Sequence, residues 1–483
     1  MLTSPTSLAM RPFAVIAALA VAPLAAGAQR QLPPNVKQFV SVDAPVVALT
    51  NARVIDGTGA APREGQTIVV QGDVIKAIGK PGEVTVPAGA QVIDLAGHTV
   101  IPGIVGLHDH MYYSSAAGGS MKMMLTSYPK LFLGTGITTI RTAGSTDSYQ
   151  ELNIKGAIDR GQIAGPRLFV TGPYLQGPGT GTGMGPMHPV SGPEDARRMV
   201  RYWAEEGVSW FKAYTQISRA DLGAAIDEAH KHGVKVTAHL CSVGYREAVA
   251  LGIDNLEHGL FANTEFYKNK QPDACPTVGD SLVFAEARPD NPDVKRTIDE
   301  MVKRKVSLTS TLAVYETSTP SRVKADPRVL EALMPEAAAA VKKWYDNAPN
   351  AKDAPYRDVL RKTMDFELAF FRAGGLLGAG SDPCCLHVIA GYGDQRNYEL
   401  LIEAGFTSGE AVQVMTLNGA RILGIDKETG SIEPGKQADL VVLRGDLAAS
   451  PADIRNVVTV FRKGIGYDSA KLIGSVKGQI GIK

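Results

Sequence analysis

Between Ile104 and Ser381, short apolar runs alternate with helical stretches, and this alternation constrains the fold more than any other feature of the chain. Such alternation is typical of parallel βα units. The eight candidate strands are Ile104–Leu107, Ile137–Thr142, Leu168–Thr171, Val208–Ala213, Val234–His239, Asn255–His258, Ser307–Leu312 and Leu376–Ser381. Eight strands over about 300 residues, most followed by a helix, predict an α/β fold of the (β/α)8 TIM barrel type.

Both ends of the chain have a different pattern, in which short alternating runs are separated by turn residues. Residues 46–100 are typical of strands of a small sheet, and the same pattern returns in residues 430–468. Because similar strands open and close the chain, we expect both ends to build one small β-sandwich-like domain. Its two parts are placed at residues 29–102 and 425–483, and the barrel at residues 103–424.

The first 28 residues are typical of a secretory signal peptide. Arg11 precedes the apolar run Pro12–Leu24, which ends in small residues up to Ala28, the expected cleavage point. A membrane anchor is the alternative, but a run of about 13 residues is shorter than the 20 or so that a spanning helix needs. We therefore expect an exported protein without a stable membrane anchor, in the periplasm or outside the cell.

The charge of the chain is nearly balanced, with 50 basic and 49 acidic residues and a formal net charge of +1. This balance gives no excess of positive charge of the kind that binds nucleic acid, and no polybasic patch for a membrane surface. We therefore expect a small-molecule or dipeptide substrate as the partner.

Four cysteines, Cys241, Cys275, Cys384 and Cys385, are too few for a disulfide framework in a chain of 483 residues. None of them forms a CxxC pair, and Cys384 and Cys385 are adjacent. Although export permits oxidation, we expect packed or free thiols rather than a structural bridge.

Two insertions interrupt the βα pattern. Residues 173–192 are too rich in Gly and Pro to form regular structure, and we expect them over the barrel mouth. Residues 320–362 are Ala-rich and helical around Val329–Trp344. We expect this second insertion to form a lid or a contact in a homo-oligomer.

Polar residues collect where the predicted strands end. In the sequence His108-Asp109-His110, strand alternation points both histidines to one face, where two imidazoles can share a metal, and Asp109 to the other. The other strand ends supply Lys212, His239, His258 and Asp382. Each residue alone has an ordinary structural explanation, such as a lysine stem packed on apolar surface or a turn-forming aspartate. Six of them at the carboxyl edge of one barrel indicate a metal site, because TIM barrels hold their active sites at that edge.

The motifs around these residues resemble those of metal-dependent hydrolases of the amidohydrolase superfamily. They are HDH after an IPG-led strand, FKAY, TAHL, NLEHG and GAGSD, and GITTIRTAG and GSIEPGKQADLVVL also have the look of that superfamily. The resemblance covers essentially all of the mature chain, and it implies a barrel flanked by a small β-rich domain. Within the superfamily, the chain is most similar to exported relatives of imidazolonepropionase and of dipeptidases that remove a C-terminal residue.

The resemblance implies ligands for two divalent metal ions. His108 and His110 would hold one metal, and His239 and His258 the other. Lys212, carbamylated by carbon dioxide, would bridge both metals, a position that favours the two-metal branch over imidazolonepropionase itself. An unmodified ammonium could not do this, because it has donors only and repels a cation. Zinc is the first choice on ligand type, with manganese, iron and cobalt left open.

The resemblance also implies a reaction. Asp382 would bind the first metal and act as general base and then acid on a hydroxide that bridges the metals. We expect hydrolysis of carbon–nitrogen bonds in small molecules such as dipeptides or N-acyl amino acids. A cyclic amide, lactone or ester hydrolase with the same binuclear site is the alternative. A non-catalytic metal-binding barrel is the alternative of another class, and the presence of all six ligand positions argues against it.

Further polar residues near the predicted site are candidates for substrate contacts. The tyrosines among them could hydrogen-bond a carbonyl or carboxylate, or pack at the barrel rim. The arginine could hold an anionic group or form an ion pair inside the barrel. The candidates are Tyr112, Tyr113, Tyr214, Tyr245, His188 and Arg141. Asp109 points away from the metals, and we expect it to brace the barrel wall or a neighbouring group.

Overall fold

The computed structural model describes Met1 and residues 31–114, 121–179, 187–267, 269–276, 287–351, 358–383 and 387–481. One compact unit begins at Leu32 and carries the fold. The predicted signal peptide, apart from Met1, and the cysteines Cys384 and Cys385 lie outside the described residues. Within the described ranges, no helix is both long and apolar enough to span a bilayer.

The described strands form two large sheets and one short two-stranded ribbon. In chain order they are β1 Val40–Val42, β2 Val46–Val54, β3 Arg63–Gln71, β4 Val74–Gly79, β5 Gln91–Asp94, β6 His98–Pro102, β7 Ile104–Asp109, β8 Tyr112–Ser114, β9 Met121–Met123, β10 Ile137–Thr142, β11 Arg167–Phe169, β12 Trp210–Ala213, β13 Lys235–Ala238, β14 Asn255–Glu257, β15 Ser307–Ser310, β16 Leu377–Ala379, β17 Leu440–Arg444, β18 Val457–Arg462 and β19 Ile465–Asp468.

Eight parallel strands form the central sheet in the order β11-β10-β7-β16-β15-β14-β13-β12. Main-chain hydrogen bonds also join the two ends of this order, since the Ser209 N–H donates to Val170 O and the Gly172 N–H to Trp210 O, both at 2.9 Å. The sheet therefore closes, and the predicted (β/α)8 barrel is confirmed.

Several barrel strands are shorter than predicted at their carboxyl ends. β13 ends before His239, β14 before His258 and β16 before Ser381. The chain leaves the extended conformation at these points as it enters the loops of the barrel mouth. His258, for example, has a φ of 71°, which lies in the left-handed region.

Helices follow most of the barrel strands. The described α-helices are Pro34–Lys37, Tyr128–Gly134, Ser148–Asp159, Pro193–Glu205, Arg219–Lys231, Tyr245–Leu251, Pro292–Lys303, Leu312–Tyr315, Pro327–Ala332, Pro335–Asn347, Val359–Arg372, Tyr392–Ala404, Ser408–Gln413, Gly419–Leu423 and Ser469–Gly474. Short 3-10 turns lie at Gly259–Ala262, Glu316–Ser318, Pro320–Arg322, Ala348–Asn350 and Pro451–Arg455, and a π-turn lies at Val414–Asn418.

Local sequence explains how these helices start and which face they bury. The Ser218 side chain caps the helix Arg219–Lys231 by accepting a hydrogen bond from the Asp221 N–H. In the helix Pro292–Lys303, proline occupies the first position and Val294, Ile298 and Met301 are buried. Their spacing forms one apolar stripe, as a helix packed on a barrel requires.

Strands from both ends of the chain share one nine-stranded sheet, as predicted. Its order is β1-β19-β18-β17-β6-β2-β3-β4, with β5 beside β2. β17 runs antiparallel to β6, with Leu440 opposite Pro102. Val47, Leu49 and Val100 are fully buried in its core. Because β6 ends at Pro102 and β7 begins at Ile104, one run of chain joins this sheet to the barrel.

The expectation of free thiols is wrong for Cys241 and Cys275, which form a disulfide with their Cα atoms 4.9 Å apart. Cys241 follows β13, and Cys275 lies in the loop after β14. Thr264 and Lys270 of the same loop donate to the main-chain oxygens of Cys241 and Ser242. The loop thus folds back onto the end of β13, a contact that a separation of 34 residues did not reveal.

Of the two insertions, the second contains the helices Pro327–Ala332 and Pro335–Asn347, as its composition predicts. In the first, residues 173–179 and 187–192 form isolated strand pairs but no helix or named strand. Residues 180–186 lie outside the described part of the chain.

Candidate metal centre

Four histidines and one aspartate, all predicted as metal ligands, cluster at the carboxyl end of the barrel strands. The ring centres of His108 and His258 are 4.4 Å apart, as are those of His239 and His258. His110 Nε2 lies 3.0 Å from Asp382 Oδ1. One ligand atom each from His108, His258 and Asp382 lies within 4.8 Å of the others. This spacing is close enough for the side chains to share a metal.

Lys212, the sixth predicted ligand, joins the same cluster. Its side chain is buried, and its Nζ lies 3.5 Å from His108 Nε2. Burial lowers the pKa of Lys212 to about 8, although Glu257 and Asp382 nearby act to raise it. More of this amine is therefore neutral at pH 7 than in an exposed lysine, and the neutral amine is the form that can add carbon dioxide.

Glu257, which sequence reasoning did not identify, fixes the orientation of His108. Its Oε2 lies 2.8 Å from His108 Nδ1, and its Oε1 accepts hydrogen bonds from Arg141 Nη2 and Thr237 Oγ1. The Arg141 guanidinium helps to hold the pKa of Glu257 below its ordinary value despite complete burial, so the carboxyl is ionised. Because an ionised carboxyl only accepts, His108 donates from Nδ1 and presents the Nε2 lone pair to the site.

The motif NLEHG gives no local signal for this role of Glu257. Strand alternation places Glu257 and His258 on opposite faces, so it directs Glu257 away from the site to which the candidate ligand His258 points. The rule ends with the strand at Glu257, and the left-handed backbone of His258 turns its ring back toward the cluster. Thr311 Oγ1 lies 2.8 Å from His258 Nδ1, which leaves the buried Nε2 with no hydrogen-bond partner among the described residues.

The lowered pKa values of the cluster favour the protonation states in which its side chains can bind a cation. Burial, together with the positive charge of Lys212, lowers the pKa of His108 far below its ordinary value and that of His239 to about 4. Burial and His239 do the same to His258. Burial acts to raise the pKa of Asp382, but His108 and His110 outweigh it and hold this pKa below its ordinary value. At neutral pH the cluster therefore offers the neutral imidazoles of His108, His239 and His258 and the carboxylate of Asp382.

This donor set fits a divalent metal. Neutral imidazole and carboxylate are the ligands that Zn²⁺ and related ions prefer in catalytic sites. Two buried nitrogens, His258 Nε2 and His110 Nδ1, have no hydrogen-bond partner in the described part of the protein. An unmodified Lys212 does not fit as a ligand, because an ammonium cannot donate a lone pair.

Three tyrosines line one side of the cluster. Tyr112 stacks on His110, with ring centres 4.4 Å apart, and its hydroxyl lies 2.6 Å from that of Tyr174. Tyr214 contacts both the Tyr174 and the His239 rings, at 5.0 and 5.1 Å. Sequence reasoning identified Tyr112 and Tyr214 but missed Tyr174, which lies in the Gly-rich insertion and ends no predicted strand. We refer to Tyr112, Tyr174 and Tyr214 as the tyrosine wall.

The structure places the other candidate contacts elsewhere. Arg141 lies buried inside the barrel and donates hydrogen bonds to Glu257 and to Leu107 O. Of the two roles expected for it, the structure therefore shows the ion pair inside the barrel. The Tyr245 hydroxyl lies 2.6 Å from the main-chain oxygens of Glu257 and Gly259 and braces the end of β14. The side chain of His188 is 67% exposed and lies 3.9 Å from Asp195.

Two neighbours of the HDH histidines also face away from the cluster. Tyr113 is buried beside Gly481, where a Cβ atom would lie 3.4 Å from its ring. Asp109 accepts a hydrogen bond from Ser381 Oγ at 3.1 Å, and the same hydroxyl lies 3.0 Å from Asp394 Oδ2. Asp109 therefore contacts the residue next to Asp382, in agreement with the bracing role expected for it.

A closed (β/α)8 barrel with histidines, a lysine and an aspartate at its mouth defines the class of metal-dependent barrel hydrolases. The family model described as "Amidohydrolase family" matches residues 99–343 and 362–465. The chain belongs to the amidohydrolase family, and it is a metal-dependent hydrolase of carbon–nitrogen bonds.

Relatives of known sequence agree with this assignment. The chain is 24% identical to a dihydroorotase from Pelotomaculum thermopropionicum over 427 residues, covering 83% of this chain and 89% of that enzyme. It is also 64% identical to the imidazolonepropionase of Picrophilus torridus, but over only 33 residues, 7% of this chain and 8% of that enzyme.

Solved structures show the same fold over nearly the whole chain. A candidate prolidase from Bifidobacterium longum has a TM-score of 0.62 and 27% sequence identity, covering 89% of this chain and 98% of its own. A Xaa-Pro dipeptidase with bound methionine in its active site has a TM-score of 0.63 and 21% identity, covering 88% of this chain and 100% of its own.

Proposed function

We propose that this protein hydrolyses the amide bond of dipeptides or N-acyl amino acids. The observation that carries the proposal is the position of Asp382, whose carboxylate lies 3.0 Å from His110 beside the tyrosine wall. A candidate proton-transfer group, a cluster of candidate metal ligands and hydroxyls that can bind a carbonyl or carboxylate thus meet in one place. The similarity to the candidate prolidase supports a dipeptide as the substrate.

We propose that the cluster binds two divalent metal ions, with zinc as the first choice. His108 and His110 would hold one ion with Asp382, and His239 and His258 the other. Lys212 would bridge them once carbamylated, and its burial and lowered pKa support this modification. When bound, such metals lower the pKa of water toward about 7 and polarise a carbonyl.

Each side chain of the site would then have a separate role in the reaction. Asp382 accepts the proton of the attacking water, and its low pKa keeps it ionised and ready to do so. The same carboxyl returns that proton to the leaving nitrogen, because an amine leaves poorly without it. Glu257 keeps His108 in place throughout by accepting a hydrogen bond from its Nδ1–H. The tyrosine wall orients the substrate.

We also propose that the mature protein acts outside the cytoplasm. The apolar N-terminal run supports export. The disulfide between Cys241 and Cys275 is consistent with it, because such bonds persist mainly in oxidising compartments.

The test is an activity screen of the purified protein on dipeptides and N-acyl amino acids, with cyclic amides, lactones and esters beside them. The dihydroorotase relative is the reason to include cyclic amides. We expect turnover of the linear amides that a chelator abolishes. Asp382→Asn should lower kcat by at least about 100-fold, the usual contribution of a general base. Asp346→Asn, at a side chain that is 60% exposed, is the matched control and should change nothing.

Elemental analysis of the same preparation tests the bridging role of Lys212. We expect about two metals per chain, since a bridging ligand implies a binuclear site. Lys212→Ala should lose metal and recover part of it when a short carboxylate is added. One metal per chain in both proteins would contradict the bridge, and turnover of esters but of no amide would contradict the proposed substrate.

A further inference from the structure

The segment Val476–Gly481 lies far from the metal ligands in sequence but packs beside the barrel mouth. Val476 and Ile480 are fully buried although helix Ser469–Gly474 is the last regular element described. We refer to Val476–Gly481 as the strap. Complete burial of apolar side chains in a segment without regular structure indicates that its position is fixed by the parts of the molecule it touches.

One side of the strap is bonded to the second insertion. The Gly478 N–H donates to Glu331 O at 2.9 Å and the Ile480 N–H to Ala332 O at 3.1 Å. In return, the Met334 N–H donates to Ile480 O at 2.8 Å. These bonds place the strap alongside the junction between helices Pro327–Ala332 and Pro335–Asn347, as a short strand would lie.

The other side of the strap meets the ribbon β8–β9, which follows HDH directly. The Gly481 N–H lies 3.5 Å from Met124 Sδ. A Cβ at Gly481 would lie 3.4 Å from the Tyr113 ring and 3.2 Å from Ala337 Cβ. Gly481 therefore occupies the space between the ribbon and the second insertion.

The ribbon in turn positions one member of the tyrosine wall. Tyr112 and Tyr113 are neighbours in β8, which pairs with β9 through Tyr112–Met123 and Tyr113–Lys122. Tyr113 faces the strap, whereas Tyr112 stacks on His110 and bonds to Tyr174. A displacement of Tyr113 therefore shifts Tyr112, its neighbour in β8, relative to the His110 ring.

We infer that the strap is a positioning element for substrate binding, because it joins the ribbon to the second insertion and so sets the place of Tyr112. This inference rests on the proposed function for its effect on substrate. The other part of the inference, that the strap couples the ribbon to the second insertion, depends only on the contacts described above. Among the described residues, no hydrogen bond or ion pair joins the strap to a predicted metal ligand, so we expect a strap variant to keep the metal content of the wild type.

Two glycines of the strap provide a matched pair of variants. Both have a positive φ, 82° at Gly481 and 69° at Gly478, so alanine strains the backbone similarly at each. An added Cβ at Gly478 meets no atom within 4 Å, whereas at Gly481 it lies 3.2 Å from Ala337 Cβ, closer than an ordinary contact, and 3.4 Å from the Tyr113 ring on its other side. A difference in KM between Gly481→Ala and Gly478→Ala therefore reports the contact made by the added Cβ atom and not the strain in the backbone.

The first measurement is steady-state kinetics with the best dipeptide found for the wild type. Gly481→Ala should raise KM by about three- to ten-fold, within the range known for small displacements of substrate-positioning groups, with kcat and metal content unchanged. Gly478→Ala should raise KM less than Gly481→Ala does. Equal KM values in the two variants, or a loss of metal in Gly481→Ala, would overturn the positioning role.

The second measurement is hydrogen–deuterium exchange of both variants, which needs no substrate. Gly481→Ala should increase exchange in peptides covering residues 121–124 and 331–337, and Gly478→Ala should do so less. Unchanged exchange in Gly481→Ala would overturn the coupling. If the wild type hydrolyses none of the dipeptides, the proposed substrate fails while the exchange result still decides whether the strap holds these segments together.

Discussion

Glu257 and Glu367, two of the three fully buried glutamates among the described residues, differ in charge because their surroundings differ. The guanidinium of Arg141 offsets the burial of Glu257, whose pKa is lowered. Glu367 lies on helix Val359–Arg372, and burial raises its pKa to about 8. The two residues therefore allow the same substitution to be compared at an ionised and at a neutral site.

Glu257→Gln should destabilise the protein and weaken metal binding. The substitution leaves the buried Arg141 cation without its counter-ion, which costs about 3–5 kcal/mol in typical buried pairs. It also weakens the hold on His108, and loss of such a supporting bond typically lowers metal affinity about 10- to 100-fold. Urea unfolding and metal titration measure the two effects.

Glu367→Gln is the control for this prediction. At pH 4.5 its carboxyl is neutral in the folded protein and about half neutral in the unfolded chain, so the amide should change the free energy of unfolding by less than about 1 kcal/mol, as substitutions that keep volume do. Equal losses of stability in both variants would show that the charge of Glu257 is not what matters.

The raised pKa of Glu367 also predicts a pH dependence of stability. The folded state keeps a proton that the unfolded state releases above its ordinary pKa of 4.5. The stabilising contribution is therefore complete below pH 4.5 and is lost as the pH rises to about 8, with a slope of up to about 1.4 kcal/mol per pH unit. The stability of Glu367→Gln relative to wild type should grow steadily from pH 5 to pH 8 in urea unfolding. A constant difference across this range would contradict the assignment.

At the scale of elements, the loop after β14 is held onto the end of β13 by the Cys241–Cys275 disulfide. Arg219 strengthens this contact from a second side, because its Nε donates to Asp273 Oδ1 at 3.0 Å and its main-chain N–H to the same oxygen at 2.8 Å. His239 directly follows β13 and lies only two residues before Cys241. The disulfide therefore limits the motion of the loop beside a predicted metal ligand.

Removing this disulfide should lower the free energy of unfolding by about 4 kcal/mol, from the entropy of closing a loop of this length in the unfolded chain. Cys241→Ser with Cys275→Ser measures the loss in urea unfolding. Wild type treated with a dithiol reductant is the comparison and should agree with the double variant. Wild-type stability that survives complete reduction would show that the loop is held by other contacts.

At the scale of the whole molecule, most of the architecture could be predicted, because each barrel strand is one apolar run with a helix after it. That the six candidate ligands gather at one end of the barrel could also be predicted, since each lies near or just after the end of such a run. The roles of Glu257 and Tyr174 could not be predicted. Glu257 directly precedes the candidate ligand His258, so strand alternation places it on the opposite face, and Tyr174 lies in a Gly-rich loop that follows no regular pattern. The Cys241–Cys275 bond depends on how a loop folds back, which local pattern does not encode.

The N-terminal run predicts the form in which the protein accumulates. Expressed from Met1 in a secreting bacterial host, the protein should be recovered outside the cytoplasm with Gln29 as its first residue, because cleavage is expected after Ala28. Intact-mass measurement of each cell fraction checks this. A full-length product confined to the cytoplasm would contradict export.

The position of HDH at the start of the barrel has a consequence for biosynthesis. β7 pairs with β10 and β16 in the barrel, and β6 just before it pairs with β17. His110 is translated 272 residues before Asp382. A nascent chain can therefore fold early βα units, but it cannot bring His110 and Asp382 together until Asp382 has left the ribosome. Binding of a metal by the whole ligand set therefore waits for that point, and a chain arrested earlier holds only part of the site.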